Sequence, residues 1–205
     1  MDEILKYFPD LTQNQFMQFQ KMQELYQDWN SKINVISRKD IDQLYTNHVL
    51  HSLAIAKILH FKAGATILDV GTGGGFPGIP LAILFPDTNF YLIDIILKKI
   101  NVVNAVAESL GLKNVRAEQK RAENVTEKFD FVLSRAVTNM ADFVQWTKNN
   151  IKQTNNHTLK NGILYLKGGD LTEELIDFPK AKQYRISEFF DDPFFETKKV
   201  VYLAL

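Results

Sequence analysis

Ile67-Leu68-Asp69-Val70-Gly71-Thr72-Gly73-Gly74-Gly75-Phe76-Pro77-Gly78-Ile79-Pro80 is the stretch that decides how the rest of the sequence is read. A short apolar run feeds into four glycines within five positions, and a second apolar segment follows. Glycine lets a backbone approach a ligand closely, and a helix N-terminus behind such a turn offers unpaired amide donors. The stretch therefore predicts a strand, a nucleotide-binding turn and a helix. Two glycine frames compete. Gly73, Gly75 and Gly78 fit the dinucleotide pattern G-x-G-x-x-G, but that pattern should begin directly after the strand, where Gly71 stands. Counted from Gly71, Phe76 takes the place reserved for a helix-packing glycine, and Pro77 and Pro80 delay the helix. An NAD-dependent oxidoreductase is thus the weaker reading.

Outward from this stretch the texture is α/β. Short apolar runs alternate with amphipathic segments from Gly64 onward, as in a parallel sheet covered by helices. Strands are expected at 66–70, 89–94, 115–119, 129–134, 163–167, about 183–189 and about 199–203. Helices are expected at about 79–85, 97–110, 139–150 and 171–176. The last two strands are too close for a parallel return and should pair as a hairpin, giving a mostly parallel seven-stranded sheet with one reversed strand. Upstream, residues 1–61 read as a helical N-terminal extension and 62–205 as the sheet domain. Phe16, Phe19, Met22, Leu25, Tyr26 and Trp29 recur at helical spacing, Thr12 and Gln15 suit a capping box, and a second helical stretch runs from about 40 to 60. Residues 30–39 form the connector.

The chain has 205 residues, 24 Lys plus Arg against 24 Asp plus Glu, and no cysteine, so disulfides, thiolate metal sites and Cys nucleophiles are excluded. The balanced charge argues against a wholly basic surface for nucleic acid, yet the charge is segregated. Residues 95–121 hold six bases and two acids, and residues 143–169 hold four lysines and no acid; residues 170–196 hold eight acids and three bases. No apolar run is long enough to span a bilayer, and the start Met1-Asp2-Glu3 is acidic where a signal peptide is basic, so a cytoplasmic protein is expected.

Read from Asp69, the loop is D-x-G-x-G-x-G, the pattern of Rossmann-like S-adenosylmethionine-dependent methyltransferases. The fuller run Asp69 to Leu81 resembles the RsmG family, formerly glucose-inhibited division protein B, bacterial 16S ribosomal RNA guanine-7 methyltransferases. Further matches follow in family order: Trp29-Asn30, Asn34, Ser37-Arg38, His48 with Ser52, Lys98-Lys99, Arg121-Ala122-Glu123, Phe129-Asp130, Ser134-Arg135-Ala136 and Lys167-Gly168. The resemblance implies S-adenosyl-L-methionine as cofactor, no metal, and 16S ribosomal RNA or the small ribosomal subunit as partner, with a monomeric enzyme. It places Gly71, Gly73, Gly75 and Phe76 in the cofactor loop, Asp94 at the ribose, Ala122 and Glu123 beside the adenine, and Arg135 at the fourth strand end. Asn47 and His51 depart from it, standing where the family commonly has Arg and Asp.

Physical chemistry adds roles for these residues. Phe76 suits either the core or a wall beside a sulfonium. Asp94 ends the second strand, where an acid suits a ribose hydroxyl pair in either glycine frame. Glu123 suits the first turn of a helix or the ligand. Arg135 stands at the carboxyl edge where ligands bind in open parallel sheets. Nitrogen seven of guanine carries a free lone pair and no proton, so methyl transfer to it needs no general base, and catalysis rests on positioning. An arginine fork would occupy that lone pair, so the site should donate hydrogen bonds to oxygen six alone. Lys167, Asn30 and Asn34 are candidates for that bond, with Lys167 and Arg135 as the catalytic pair, Arg135 holding a phosphate or ordering the pocket. Asn30, Asn34, Arg38 and His48 are the candidate RNA contacts; Asn30 and Asn34 could instead brace the connector, and His48 could be a satisfied helix histidine. The remaining alternatives are a non-catalytic RNA-binding assembly protein and a related enzyme acting on protein or a small molecule.

Overall fold

The computed structural model describes residues 1–37 and 40–205. Seven strands form one sheet: β1 (Thr66–Val70), β2 (Asn89–Asp94), β3 (Val115–Gln119), β4 (Phe131–Arg135), β5 (Gly162–Gly168), β6 (Lys182–Arg185) and β7 (Lys198–Ala204). The order is β3-β2-β1-β4-β5-β7-β6, and β7 alone runs against the others, pairing antiparallel with both β5 and β6. The expected mixed sheet with its C-terminal hairpin is thus present. Strand order reverses between β1 and β4, so the loops leaving their carboxyl ends diverge and open a crevice, the usual ligand position in such sheets.

Side chains alternate across the sheet because successive strand residues point to opposite faces. Ile67, Leu92, Leu133 and Leu166 face one core with α4 (Gly78–Leu84) and α5 (Leu97–Ser109), whereas Leu68, Ile93, Val132 and Tyr165 face a second core with α6 (Met140–Thr147). The N-terminal helices α1 (Asp2–Tyr7) and α2 (Gln13–Lys32) add Ile4, Phe19, Met22 and Tyr26 to the first of these cores. The capping box is formed: Thr12 Oγ1 accepts from the Gln15 amide and the Gln15 side chain accepts from the Thr12 amide. No helix is long and apolar enough to cross a membrane among the described residues.

Four expectations need correction. The stretch from 40 to 60 is not one α-helix but a wide turn over Leu44–Leu50, a single α-turn, α3 (His51–Leu53), and tight turns at either end. Ser52 Oγ donates to the His48 carbonyl at 2.6 Å, and such a side-chain bond competes with the regular helix ladder. The fourth strand begins at Phe131, because Asp130 turns its carboxylate onto the Thr66 amide and Phe129 bridges to Ile151 alone. The sixth strand ends at Arg185, where Ile186–Glu188 coils to bury Ile186. Residues 171–176 are turns rather than a helix; the Asp170 side chain accepts from the Thr172 amide, and Leu171 and Leu175, both buried, are joined by a bond from the Leu175 amide to the Leu171 carbonyl at 2.9 Å.

The N-terminal helices also support the glycine turn. Tyr26, fully buried on α2, donates from its hydroxyl to the Gly74 carbonyl at 2.6 Å. Tyr26→Phe keeps the ring and removes this bond, and should lower folding stability by about 1 kcal/mol. Chemical denaturation checks this; an unchanged midpoint would mean the bond carries no load.

Candidate functional site

The glycine turn owes its shape to two carboxylates. Asp69, buried at the end of β1, accepts from Thr72 Oγ1 at 2.7 Å and from the Gly78 amide at 2.9 Å, tying both limbs of the turn to the strand. Burial pushes its carboxyl up to about 7, against the lowering effect of those two bonds, and its second oxygen has no partner among the described residues. Asp94, at the end of β2, accepts from the Gly73 amide at 3.0 Å with one oxygen and from the Ile96 amide at 2.9 Å with the other. Gly73 has φ +59, and a Cβ placed on it would meet nothing within 4 Å. Gly71, at φ +67, is instead held against Val137, whose methyl a Cβ would strike.

These residues line a cavity of about 480 Å³ at the crevice. Asp94 and the exposed apolar side chains Ile95 and Ile96 form one side, Ala122 and Glu123 another, and Phe76 and Arg135 the inner end. The structure thus brings together Gly71, Gly73, Phe76, Asp94, Ala122, Glu123 and Arg135 around one space. Gly75, at φ +98, sits behind the turn against Ile79 and Tyr26. The donor set fits S-adenosylmethionine: a carboxylate for a ribose hydroxyl pair, apolar surfaces left bare for a purine, an aromatic wall, and open space beside the Gly73 backbone.

Arg135 enters from the end of β4. Its guanidinium lies 5.2 Å from the Phe76 ring centre, contacts His48 Nδ1 at 3.0 Å and reaches the Asn47 carbonyl at 3.4 Å. Burial brings it down to about 10, opposed by the carboxyl groups of Asp69 and Asp40, so it stays a cation. A guanidinium only donates, so His48 Nδ1 accepts and the ring keeps its proton on Nε2, which has no partner among the described residues. Burial and then the Arg135 charge bring His48 down to about 4. His48 is thus a neutral prop for Arg135.

Other expected residues sit elsewhere. Asn30 Oδ1 accepts from the Val35 and Ile36 amides, both at 2.9 Å, and so braces the connector, whose Val35 packs on Gly74 and lines the cavity. Asn34 is exposed, and Arg38 lies outside the described residues. Asn47 donates to Asp40, while His51 is buried edge-on to Phe194 and Phe195 and held well below its ordinary value, first by burial. Lys167 lies outside the cavity, paired with Glu174 at 2.6 Å. The sequence reading passed over Tyr165, whose hydroxyl accepts from the Val137 and Thr138 amides and donates to the Thr138 carbonyl. Its signal was a tyrosine within a central apolar strand, where a buried hydroxyl needs a partner.

His48 generates a prediction. Because its folded value lies below the ordinary 6.5, its contribution to stability is complete above 6.5 and lost as pH falls through about 4, the unfolded chain protonating first. Asp69 runs the other way: raised, its contribution is present at low pH and lost as pH rises through about 7. In a nuclear magnetic resonance titration the His48 ring should titrate near 4, and a midpoint near 6.5 would refute its burial beside Arg135.

Comparison with known proteins identifies the family. Residues 15–197 match the family model GidB, rRNA small subunit methyltransferase G. The chain is 76% identical over 205 residues to the ribosomal RNA small subunit methyltransferase G of Flavobacterium psychrophilum, covering 100% of this chain and 98% of that one. It is 55% identical over 206 residues to that of Bacteroides fragilis, covering 100% of both. Among solved structures, a SAM-dependent methyltransferase from Aquifex aeolicus aligns with TM-score 0.56 at 17% identity, over 83% of this chain and 100% of that one. A mutant of MtNAS in complex with S-adenosylmethionine aligns with TM-score 0.55 at 13% identity, over 93% and 76%. At these identities the two structures speak for the fold alone, whereas the family model and the curated relatives span nearly the whole sequence: the chain belongs to the rRNA small subunit methyltransferase G family.

Proposed function

We propose that this chain transfers the methyl group of S-adenosylmethionine to nitrogen seven of a guanine in 16S ribosomal RNA. Membership of the rRNA small subunit methyltransferase G family carries this reading, and the cavity at the Asp69–Gly75 turn supplies the matching chemistry. The cofactor would supply an electrophilic methyl: the nitrogen lone pair forms the new bond, the carbon–sulfur pair returns to sulfur, and the positive charge moves to the purine without any proton transfer. Gly71 and Gly73 would face it with bare backbone, Asp94 would accept from the ribose hydroxyls, and Ala122, Glu123, Ile95 and Ile96 would flank the adenine. Phe76 would wall the sulfonium side. Arg135, fixed by His48, would order the inner end of the pocket or hold a phosphate. The main task of the protein is to hold donor and acceptor in line.

Residues 1–61 would serve RNA recognition, through Asn34, Arg38 and the surface near His48, and residues 62–205 would carry the cofactor. Of the basic segments, 95–121 suits RNA phosphates best, since Lys99, Lys120 and Arg121 rim the cavity. In 143–169, Lys152 is bonded to Asp130 at the opposite end of the sheet and Lys167 to Glu174. The purine edge that reacts is hidden in the deep major groove of an RNA duplex, so the target would lie in a loop or distorted junction. We read the enzyme as a cytoplasmic monomer.

Small subunits from cells lacking this gene, incubated with the chain and methyl-labelled cofactor, should yield labelled 7-methylguanosine on nucleoside analysis, at a rate that falls as salt rises. RNA binding without transfer would replace this reading with that of an assembly protein, and a rate flat in salt would remove 95–121 as the docking surface.

A further inference from the structure

Beside the cofactor cavity lies a second hollow, of about 290 Å³, at the carboxyl ends of β4 and β5. Ala136 and Val137 line both, so the two spaces share a wall. That wall is unusual. Ala136 has φ +50, a left-handed conformation that costs a non-glycine residue about 1 kcal/mol or more. Tyr165 holds the strained turn in place, its hydroxyl taking the Val137 and Thr138 amides at 3.1 and 2.9 Å and giving its proton to the Thr138 carbonyl at 2.7 Å.

The second feature is the ion pair. Lys167 Nζ lies 2.6 Å from Glu174 Oε1 and donates to the Thr138 carbonyl at 2.8 Å; its side chain is only 8% exposed and that of Glu174 24%. The same Glu174 oxygen accepts from the Met140 amide at 2.7 Å. This leaves Glu174 Oε2 and the third Lys167 proton without a hydrogen-bond partner among the described residues, the ammonium lying 4.2 Å from the centre of the Tyr165 ring; both residues line the hollow that touches the cofactor cavity. Two charges so largely withdrawn from water add little to stability, because desolvation offsets their attraction. A role in recognition accounts for them better. A carboxylate oxygen next to an ammonium is an acceptor next to a donor. The Watson–Crick edge of guanine is its complement: two adjacent N–H groups, at nitrogen one and the exocyclic amine, beside oxygen six. Adenine would set the lone pair of its nitrogen one against the carboxylate.

We propose that the hollow formed by Ala136, Val137, Thr138, Lys167, Gly168 and Glu174 seats the acceptor guanine, Glu174 Oε2 accepting from nitrogen one and the exocyclic amine and Lys167 donating to oxygen six. The assignment rests on the guanine reading of the previous subsection. A base held in this way is extruded from its stack, as enzymes acting on bases require. Its nitrogen seven, on the adjoining Hoogsteen edge, bonds to neither group and is free to meet the methyl where the two spaces adjoin at Ala136 and Val137. Glu174 and Lys167 thus select guanine while leaving its reacting lone pair free.

The test uses small subunits reconstituted with guanosine or inosine at the methylated position. Inosine lacks only the exocyclic amine and keeps nitrogen seven. The wild-type chain should methylate inosine with kcat/KM at least about tenfold below guanosine, since a site built to bond an N–H rejects the analogue lacking it. Glu174→Gln presents a donor where the amine needs an acceptor: it should lose at least about tenfold on guanosine and bring the two substrates to near parity, with S-adenosylhomocysteine affinity by calorimetry unchanged. Equal wild-type rates on the two subunits overturn the proposal, whatever the variant does. A Glu174→Gln chain that keeps the wild-type preference also overturns it. No transfer to guanosine by the wild-type chain would mean that the functional reading beneath it has failed.

Discussion

A buried carboxylate holds this site in shape. Asp69 sits at the end of the central strand with Thr72 on one limb of the glycine turn and Gly78 at the head of α4 on the other. From that tie the remaining geometry follows. Gly73 is brought under Asp94, which fixes its amide; Gly74 is brought under Tyr26, which fixes its carbonyl; and Gly71 is left close enough to Val137 that no side chain fits between them. A turn so anchored presents bare backbone to a ligand without depending on the ligand to order it. The cost is a carboxyl pushed up to about 7 by its burial, an expense that concerns the turn alone because no proton moves in the methyl transfer.

Electrostatics divide the crevice into two functional halves. In one, Arg135 is a cation held between a neutral histidine and an aromatic face, all three supplied by different parts of the chain. In the other, Lys167 is neutralised by Glu174 and turned toward the loop after β4. Tyr165 separates the halves by fixing Val137 and Thr138, so β5 and the loop after β4 shape the entrance as well as the glycine turn. The N-terminal region belongs to this account too, since Tyr26 of α2, Val35 of the connector and His48 of the wide turn each touch the glycine turn or its neighbours.

What the sequence made legible was local. The strand, turn and helix around Asp69 are encoded by apolar alternation and glycine spacing within fourteen residues, and β1, β2 and β3 have the bounds that pattern implies. Legibility failed where side-chain hydrogen bonds compete with backbone regularity. Ser52 and Asp130 each divert a local ladder, and Asp170 with the buried Leu171 and Leu175 converts an amphipathic run into turns. The site shows the same division. Asp94 and Arg135 could be placed from strand ends and Phe76 from the resemblance of its loop, but Lys167 could not be separated from the cofactor cavity without its partner Glu174, seven residues further on in a segment read as helix. Asn30 was legible as a residue with a task; only the fold shows that its oxygen is taken by the connector.

The central claim is that the space beside the Gly73 backbone belongs to the cofactor. Gly73 and Gly111 have similar backbones, φ +59 and +68, and in each a Cβ would meet nothing within 4 Å, yet only Gly73 lines the cavity. Alanine at either position therefore imposes a similar backbone strain, and only one fills the proposed binding space. Calorimetric titration of S-adenosylhomocysteine into the wild-type, Gly73→Ala and Gly111→Ala chains compares them directly. The account predicts binding weakened about tenfold or more, at least 1.4 kcal/mol, for Gly73→Ala and unchanged for Gly111→Ala. Equal affinity in all three chains would contradict it.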